Sequence, residues 1–184
     1  LSPGIVNSAV WADVDGDGKP ELLLAQKNFL RAVVLKSDTQ NKGTTARPEW
    51  AFIVKEQING ASGNSRIVGA TPIRNGTNQT SSLFLLDAER KALTLSERDS
   101  AGVWQVVRNI SLPVTDFSEL QSIGLKSTNA NSIAFLGINS VAWMNLSGQV
   151  WEFTELDGYE TPIKDGRLND VISGDLNNDK RKDL

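Results

Sequence analysis

The chain has 184 residues and a formal net charge of −3, with 39% hydrophobic and 22% charged residues. A nucleic-acid partner is not expected, because it would require a clustered basic face, and no run of 18 or more apolar residues is present that could span a membrane. The sequence contains neither Cys nor His, which excludes disulfides, thiolate nucleophiles and a Ser-His-Asp triad and argues against the usual zinc sites.

Both ends of the sequence suggest a piece of a longer protein. The chain begins Leu1-Ser2-Pro3-Gly4, without an initiator Met or a signal-peptide pattern. It stops at Leu184, at what the pattern predicts to be the first residue of a strand. Any export signal would then lie outside this sequence.

A unit of four short apolar runs recurs along the chain. The runs are Ile5–Ala12, Glu21–Ala25, Ala32–Leu35 and Trp50–Val54 in the first unit, Arg66–Ala70, Leu83–Leu86, Ala92–Leu95 and Val103–Val107 in the second, Leu120–Gly124, Ile133–Leu136, Val141–Met144 and Val150–Phe153 in the third, and Asp170–Gly174 at the start of a fourth. Runs of four to eight residues bounded by Gly, Pro, Asn, Asp or Ser predict β-strands. The one weak helical candidate, Phe117–Leu125, falls where the repeat requires a strand.

A loop separates the first and second runs of every unit. These loops start at 13, 71, 125 and 175, so the period is 58, 54 and 50 residues. Such a period with four strands per unit is typical of a propeller blade. We therefore predict an all-β fold, a β-propeller of four-stranded antiparallel blades, with about three and a half blades present in a single fragment, 1–184. The predicted blades cover about 4–58, 62–112, 117–164 and, for the start of the fourth, 168–184. A β-sandwich or barrel, which also has short, regularly spaced strands, is the alternative.

A tryptophan occurs in register in the last run of each complete unit. These residues are Trp50, Trp104 and Trp151. We predict that they pack between neighbouring blades, and stacking of a sugar on one of them is the minor alternative.

Two of the loops are acidic. The first, residues 13–21, reads DVDGDGKPE and carries carboxylates at positions 1, 3, 5 and 9; the second, residues 175–183, reads DLNNDKRKD and has an amide at position 3. In a tightly wound loop, oxygens from positions 1, 3 and 5 can converge, and a carbonyl from position 7 and the carboxylate from position 9 would complete an all-oxygen shell. Such a shell suits Ca²⁺, which takes six to eight oxygen ligands. An acidic surface turn without metal is the alternative.

This pattern, a strand followed by D-x-[D/N]-x-D-G-x-x-D-L and a second strand, resembles the FG-GAP/VCBS repeats of integrin-like propellers. The resemblance implies the ligands Asp13, Asp15, Asp17, the Lys19 carbonyl and Glu21 in the first loop, and Asp175, Asn177, Asp179, the Arg181 carbonyl and Asp183 in the second. The sequence departs from the family at Glu21, where the family has Asp, and at Lys180, where it has Gly and where a non-Gly residue is expected to adopt a strained backbone. The equivalent loops at 71–80 and 125–131 contain no carboxylate and are expected to be free of metal.

The resemblance predicts a structural metal and an extracytoplasmic module, secreted, periplasmic or on the cell surface. Its partner would be a protein or a glycan, and its remaining blades would lie in the same chain. Millimolar calcium outside the cell suits sites of modest affinity. The alternatives are the propeller portion of a larger secreted enzyme acting on polysaccharide, with catalytic residues elsewhere or at the central channel, and a structural spacer. No acid–base pair stands out among the remaining carboxylates, which we interpret as surface charges: Glu49, Asp87, Glu89, Glu97, Asp116, Glu119, Glu155, Asp157 and Glu160.

Overall fold

A computed structural model of the chain describes residues 9–38, 49–73, 82–112, 117–123, 132–147, 150–168, 170–180 and 183. The regular elements in this part of the chain are β-strands, and none of it forms a helix long and apolar enough to cross a membrane. The strands are β1 (Ala9–Ala12), β2 (Glu21–Ala25), β3 (Phe29–Asp38), β4 (Glu49–Asn59), β5 (Ile67–Ile73), β6 (Ser82–Asp87), β7 (Ala92–Arg98), β8 (Trp104–Ser111), β9 (Phe117–Ile123), β10 (Ser132–Gly137), β11 (Ser140–Ser147) and β12 (Val150–Glu160).

The strands form three antiparallel sheets of four strands each. Sheet 1 contains β1–β4, sheet 2 contains β5–β8 and sheet 3 contains β9–β12, and within each sheet the strand order follows the chain. Every complete run predicted as a strand in the first three units overlaps one of these strands, so the all-β prediction is confirmed. The first strands of the sheets are neighbours in space, since β1 contacts β5 and β5 contacts β9. Three such stacked sheets differ from the two-sheet sandwich that was the alternative.

Strand β6 lies in the middle of the core, between sheets 1 and 3. All six of its residues are buried, and successive side chains of a strand point to opposite faces. Leu83 and Leu85 pack with Leu23 and the rest of the sheet 1 cluster, whereas Phe84 and Leu86 pack against sheet 3. Burial on both faces explains why this run is continuously apolar and not alternating.

Strand β10 repeats this arrangement one sheet further along. It is also buried throughout, with Ile133 and Phe135 in the cluster shared with sheet 2. Its other face, through Ala134 and Leu136, packs against Val171 from the start of the fourth unit. Sheets 2 and 3 therefore each contact the preceding sheet with one face and the following unit with the other.

The outer strands of sheets 1 and 2 are joined by polar contacts to one carboxylate. Glu56 of β4 accepts a hydrogen bond of 2.8 Å from the indole Nε1 of Trp104 on its Oε2. Its Oε1 lies 2.6 Å from Nη2 of Arg98, and Nε of Arg98 donates to the Gly102 carbonyl at 2.7 Å. Arg98 and Trp104 both belong to sheet 2, so the carboxylate ties this sheet to its neighbour.

The packing predicted for the three in-register tryptophans holds for only one of the two that can be compared. Trp104 packs against the cluster between sheets 1 and 2, as predicted. The prediction is wrong for Trp50, which is 63% exposed because it lies on the face of sheet 1 that no other described sheet covers. The side chain of Trp151 lies outside the described residues.

The exposed face of sheet 1 is strongly apolar. Leu35 pairs with Phe52 on adjacent strands, and Val33 pairs with Val54, which places these side chains on one face. Trp11 belongs to the same face and is 62% exposed, while Phe52 is 63% exposed. The corresponding faces of sheets 2 and 3 are covered by the sheet before them.

Two predicted boundaries are wrong. The polar loop predicted from Thr71 starts later, because β5 continues through Ile73, whose side chain is buried in the cluster between sheets 2 and 3. The predicted strand Asp170–Gly174 is reduced to a single antiparallel bridge between Gly174 and Asp183. Residues 74–80 and 124–131, with most of the two loops expected to be free of metal, lie outside the described part of the chain.

The interpretation of Asp87 as a surface charge is also wrong, since this residue is completely buried. Its Oδ1 accepts hydrogen bonds from the backbone N–H groups of Arg66 at 3.0 Å, Glu89 at 3.1 Å and Arg90 at 3.2 Å. The carboxylate therefore organises the turn between β6 and β7, a role that an isolated Asp in the sequence does not reveal.

Candidate metal centre

The first acidic loop is closed at its base by strand pairing. Ala12, the last residue of β1, pairs with Glu21, the first residue of β2. Val14, at position 2 of the loop, is completely buried in the cluster between sheets 1 and 2. The loop is thus anchored to the core through Val14 and the buried Glu21, while Asp17 is exposed to solvent.

The carboxylate of Asp13 fixes the turn of the loop by accepting two backbone hydrogen bonds. Its Oδ1 accepts the N–H of Gly16 at 2.7 Å and its Oδ2 accepts the N–H of Gly18 at 2.8 Å. Both glycines have left-handed backbones, with φ of +81° and +82°, a conformation that Gly adopts without a steric penalty. The D-x-x-G-x-G spacing therefore specifies the turn directly.

The other three carboxylates each use one oxygen to hold a backbone N–H. Oδ1 of Asp15 accepts from Asp17 at 3.2 Å, and Oδ1 of Asp17 accepts from Lys19 at 2.8 Å. Oε2 of the buried Glu21 accepts from Val14 at 3.1 Å. These bonds fix the carboxylates so that their second oxygens remain available for a cation.

These second oxygens surround the ammonium group of Lys55, which comes from β4. Nζ of Lys55 forms ion pairs with Oδ2 of Asp15, with Oδ2 of Asp17 at 3.2 Å and with Oε1 of Glu21 at 3.1 Å. In addition, ligand oxygens of Asp13, Asp15 and Glu21 all lie within 4.8 Å of one another. The loop thus gathers oxygen donors around one positive charge.

The electrostatics follow from this geometry. The ion pair with Asp15, followed by hydrogen bonds to the other carboxylates, raises the pKa of the Lys55 ammonium above its ordinary value. The N–H of Lys19, followed by the Lys55 ammonium, lowers the pKa of Asp17. Both shifts favour the charged forms, so the Lys55 ammonium and the Asp17 carboxylate are both charged at neutral pH.

The second acidic loop repeats three hydrogen bonds of the first, although Oδ1 of Asp175 accepts the N–H of Asp179 where Oδ1 of Asp13 accepts that of Gly16. Oδ2 of Asp183 accepts the N–H of Leu176 at 2.9 Å, the counterpart of the bond from Val14 to Glu21. Oδ2 of Asp175 accepts the N–H of Lys180 at 2.9 Å, and Oδ1 of Asn177 accepts the N–H of Asp179 at 3.0 Å. The bridge between Gly174 and Asp183 closes this loop as the pairing of Ala12 with Glu21 closes the first.

The backbone conformations of the two loops also match. Asn178 and Lys180 have φ of +63° and +67°, at the positions occupied by Gly16 and Gly18 in the first loop. The strained backbone predicted at Lys180 is therefore confirmed. Seven of the nine positions differ between the loops, yet both adopt the same turn, because in each the carboxylate at position 1 accepts the N–H of position 6 and the carboxylate at position 9 accepts the N–H of position 2.

The structure brings together the four predicted side-chain ligands of the first loop. Asp13, Asp15 and Glu21 converge directly, and Asp17 joins them through Lys55. In the second loop Asp175, Asn177, Asp179 and Asp183 occupy the corresponding positions, while Arg181 lies outside the described residues. The carbonyl roles of Lys19 and Arg181 stay predictions.

Lys55 is the site residue that sequence analysis missed. It directly follows the predicted run Trp50–Val54 and looks like a solvated strand end. Only the local register of β4 directs its side chain to a loop about 40 residues earlier in the chain.

Neither a protein-family model nor a curated protein matches the sequence.

Proposed function

We propose that this chain forms consecutive blades of a calcium-stabilised β-propeller of the FG-GAP/VCBS kind, acting as an extracytoplasmic binding or adhesion module for a protein or a glycan. The main support for the proposal is the pair of acidic loops, which share three hydrogen bonds and both left-handed backbone positions at equivalent places in a repeated unit.

The propeller is supported by the way in which the sheets follow one another. Sheet 2 packs on sheet 1 and sheet 3 packs on sheet 2, each with its first strand beside the first strand of its neighbour. The apolar outer face of sheet 1 is equivalent to the faces through which the later sheets pack. Leu176 is 79% exposed, although its counterpart Val14 is fully buried under the next sheet. Further blades would cover both surfaces.

Two observations favour calcium as the metal: the carboxylate oxygens of the first loop and the ammonium group of Lys55, which lies where the ion would lie. All side-chain donors of the first loop are carboxylate oxygens, the ligand type that hard cations prefer. The ammonium of Lys55 already lies at the point to which three of them turn their second oxygens. The residues therefore fit a cation, which Asp13, Asp15, Asp17 and Glu21 would hold.

The proposed metal has a structural role. The first loop joins the first two strands of its unit, the second is closed by the bridge between Gly174 and Asp183, and all of the proposed ligands of a site come from a single nine-residue segment. Neutralising the carboxylates would fix the turn on one face of the molecule, because two like charges 4 Å apart cost about 4 kcal/mol at an intermediate dielectric constant. The module would then present its partner-binding surface on a rigid scaffold.

Titration calorimetry of the full chain with calcium and magnesium tests this proposal. Two sites should bind calcium more tightly than magnesium, because magnesium requires an octahedron with short bonds of about 2.0–2.1 Å. Equal or tighter magnesium binding would contradict the assignment. Two assays with the full chain address the partner. Binding on a glycan array would favour a binding module, and turnover of a polysaccharide would favour a part of an enzyme.

A further inference from the structure

Lys55 reaches the first loop through a β-bulge. In the pairing of β3 with β4, Ala32 lies opposite Glu56 and Val33 lies opposite Val54, which leaves Lys55 as an extra residue without a partner. Such a bulge bends the strand and re-aims the side chain at that position. The bulge thus places the ammonium among carboxylates that belong to a different hairpin.

Sheet 2 supplies an internal comparison. In the pairing of β7 with β8, Leu95 lies opposite Arg108 and Ser96 lies opposite Val106, so Val107 is the extra residue of the equivalent bulge. The segment between β5 and β6 of this unit, residues 74–81, contains no carboxylate. The bulge carries a cation in the unit whose loop is acidic and an apolar residue in the unit whose loop has no carboxylate.

The oxygens that hold Lys55 are those left for a metal. Asp15, Asp17 and Glu21 each commit one oxygen to a backbone N–H and turn the other to the ammonium. Calcium binds oxygen at about 2.3–2.6 Å, which is shorter than the 3.1 Å and 3.2 Å that separate Nζ from Glu21 and Asp17. The same oxygens cannot close on calcium while the ammonium stays between them.

We infer that Lys55 is a tethered counter-ion that competes with calcium for the first loop, so that the loop alternates between a lysine-closed and a calcium-filled form. This inference rests on the calcium site proposed above and adds its regulation. The lysine keeps the loop folded when calcium is scarce, and it lowers the apparent calcium affinity by the fraction of time for which it occupies the cluster.

A charge-removing variant tests the competition. In the full chain, Lys55→Gln should bind calcium at the first loop about tenfold more tightly in calorimetry if the lysine fills the cluster about nine-tenths of the time. The same variant should melt at a lower temperature than wild type in chelator. Lys36→Gln, an exposed lysine on the neighbouring strand β3, is the matched control for the loss of one positive charge and should change neither quantity by a comparable amount.

Acylation of lysine amines in the wild-type chain provides a second test that requires no variant. Saturating calcium should increase the labelling of Lys55 with an amine-reactive ester, because the displaced amine loses its three carboxylate partners, and it should leave the labelling of Lys36 unchanged. Calcium binding with equal affinity in wild type and Lys55→Gln, or without a change in Lys55 labelling, overturns the competition and leaves the calcium site standing. Absence of calcium binding in both proteins overturns the site and the competition together.

Discussion

Replacing Glu56 by Gln should loosen the contact between sheets 1 and 2 at their outer strands. The carboxylate accepts the Trp104 indole at 2.8 Å and pairs with Arg98 at 2.6 Å. Glutamine keeps the shape and one acceptor oxygen but removes the charge and places an NH₂ group against one of the two donors. If the NH₂ group faces Arg98, the guanidinium keeps only its bond to the Gly102 carbonyl; if it faces Trp104, the indole N–H loses its acceptor.

The magnitude follows from the exposure of the pair. Hydrogen bonds to charged groups contribute about 1.5–3 kcal/mol, but the side chains of Arg98 and Glu56 remain 18% and 19% exposed, so solvent screens part of this value. We expect a loss of about 1–2 kcal/mol, which lowers the melting temperature by about 2–8 °C in a domain of this size. Denaturant and thermal unfolding measure it, with the exposed Glu89→Gln as a control of equal charge change.

A double-mutant cycle with Arg98→Met measures the interaction energy between Glu56 and Arg98 apart from the cost of losing either side chain alone. The two substitutions together should cost less than the sum of the single ones, because each removes the same interaction. A fully additive result, or a Glu56→Gln variant as stable as Glu89→Gln, would show that this contact does not hold the two sheets together.

Three further results follow from the core, the loop backbone and a surface turn. Phe84→Ala should destabilise the chain by about 3–5 kcal/mol in denaturant unfolding, because the ring is completely buried between sheets 2 and 3; a loss below 1 kcal/mol would contradict that packing. Lys180→Gly should raise the melting temperature in calcium by about 2–4 °C, by relieving about 1 kcal/mol of left-handed strain. Gly18→Ala should lower it, although nothing lies within 4 Å of the added methyl group; equal melting of either variant and wild type would refute the strain. Hydrogen bonds from Val103 and other donors lower the pKa of Asp99, so Asp99→Asn should be less stable than wild type at neutral pH. This difference should vanish as the pH falls through the lowered pKa, below the ordinary value of 3.8; a difference that persists at low pH would contradict it.

The strands could be predicted because most of the apolar runs are short and end at turn residues. Strand β2 was located to the residue, and β6 and β10 nearly so, since burial on both faces leaves an uninterrupted apolar run between polar ends. The predicted strand corresponding to β5 ends too early, before Thr71, because Thr71 and Pro72 are typical of a loop. Only the structure shows that the next residue, Ile73, is buried against sheet 3.

The acidic residues of the candidate site could be predicted from spacing alone, because all of them belong to one loop. Lys55 could not, since its position depends on a bulge, and a shift of one residue in strand pairing leaves no mark in the composition of the strand. Asp87 was misjudged because its burial and its hydrogen bonds to the backbone N–H groups of Arg66, Glu89 and Arg90 leave no mark in the local sequence pattern.

The calcium response of Asp17→Ala decides whether the first acidic loop, residues 13–21, binds calcium. Calcium at a hundredfold excess over its Kd stabilises a protein by about 2.7 kcal/mol per site, so the wild-type chain should melt higher in calcium than in chelator. Asp17→Ala should lose the share of this gain that belongs to the first loop, while Asp165→Ala, in an exposed turn outside both loops, should keep all of it. The gain is compared within each variant, because Asp17 also holds Lys19 and Lys55 when calcium is absent. If Asp17→Ala gains as much from calcium as wild type does, the first loop is an acidic turn and not a calcium site.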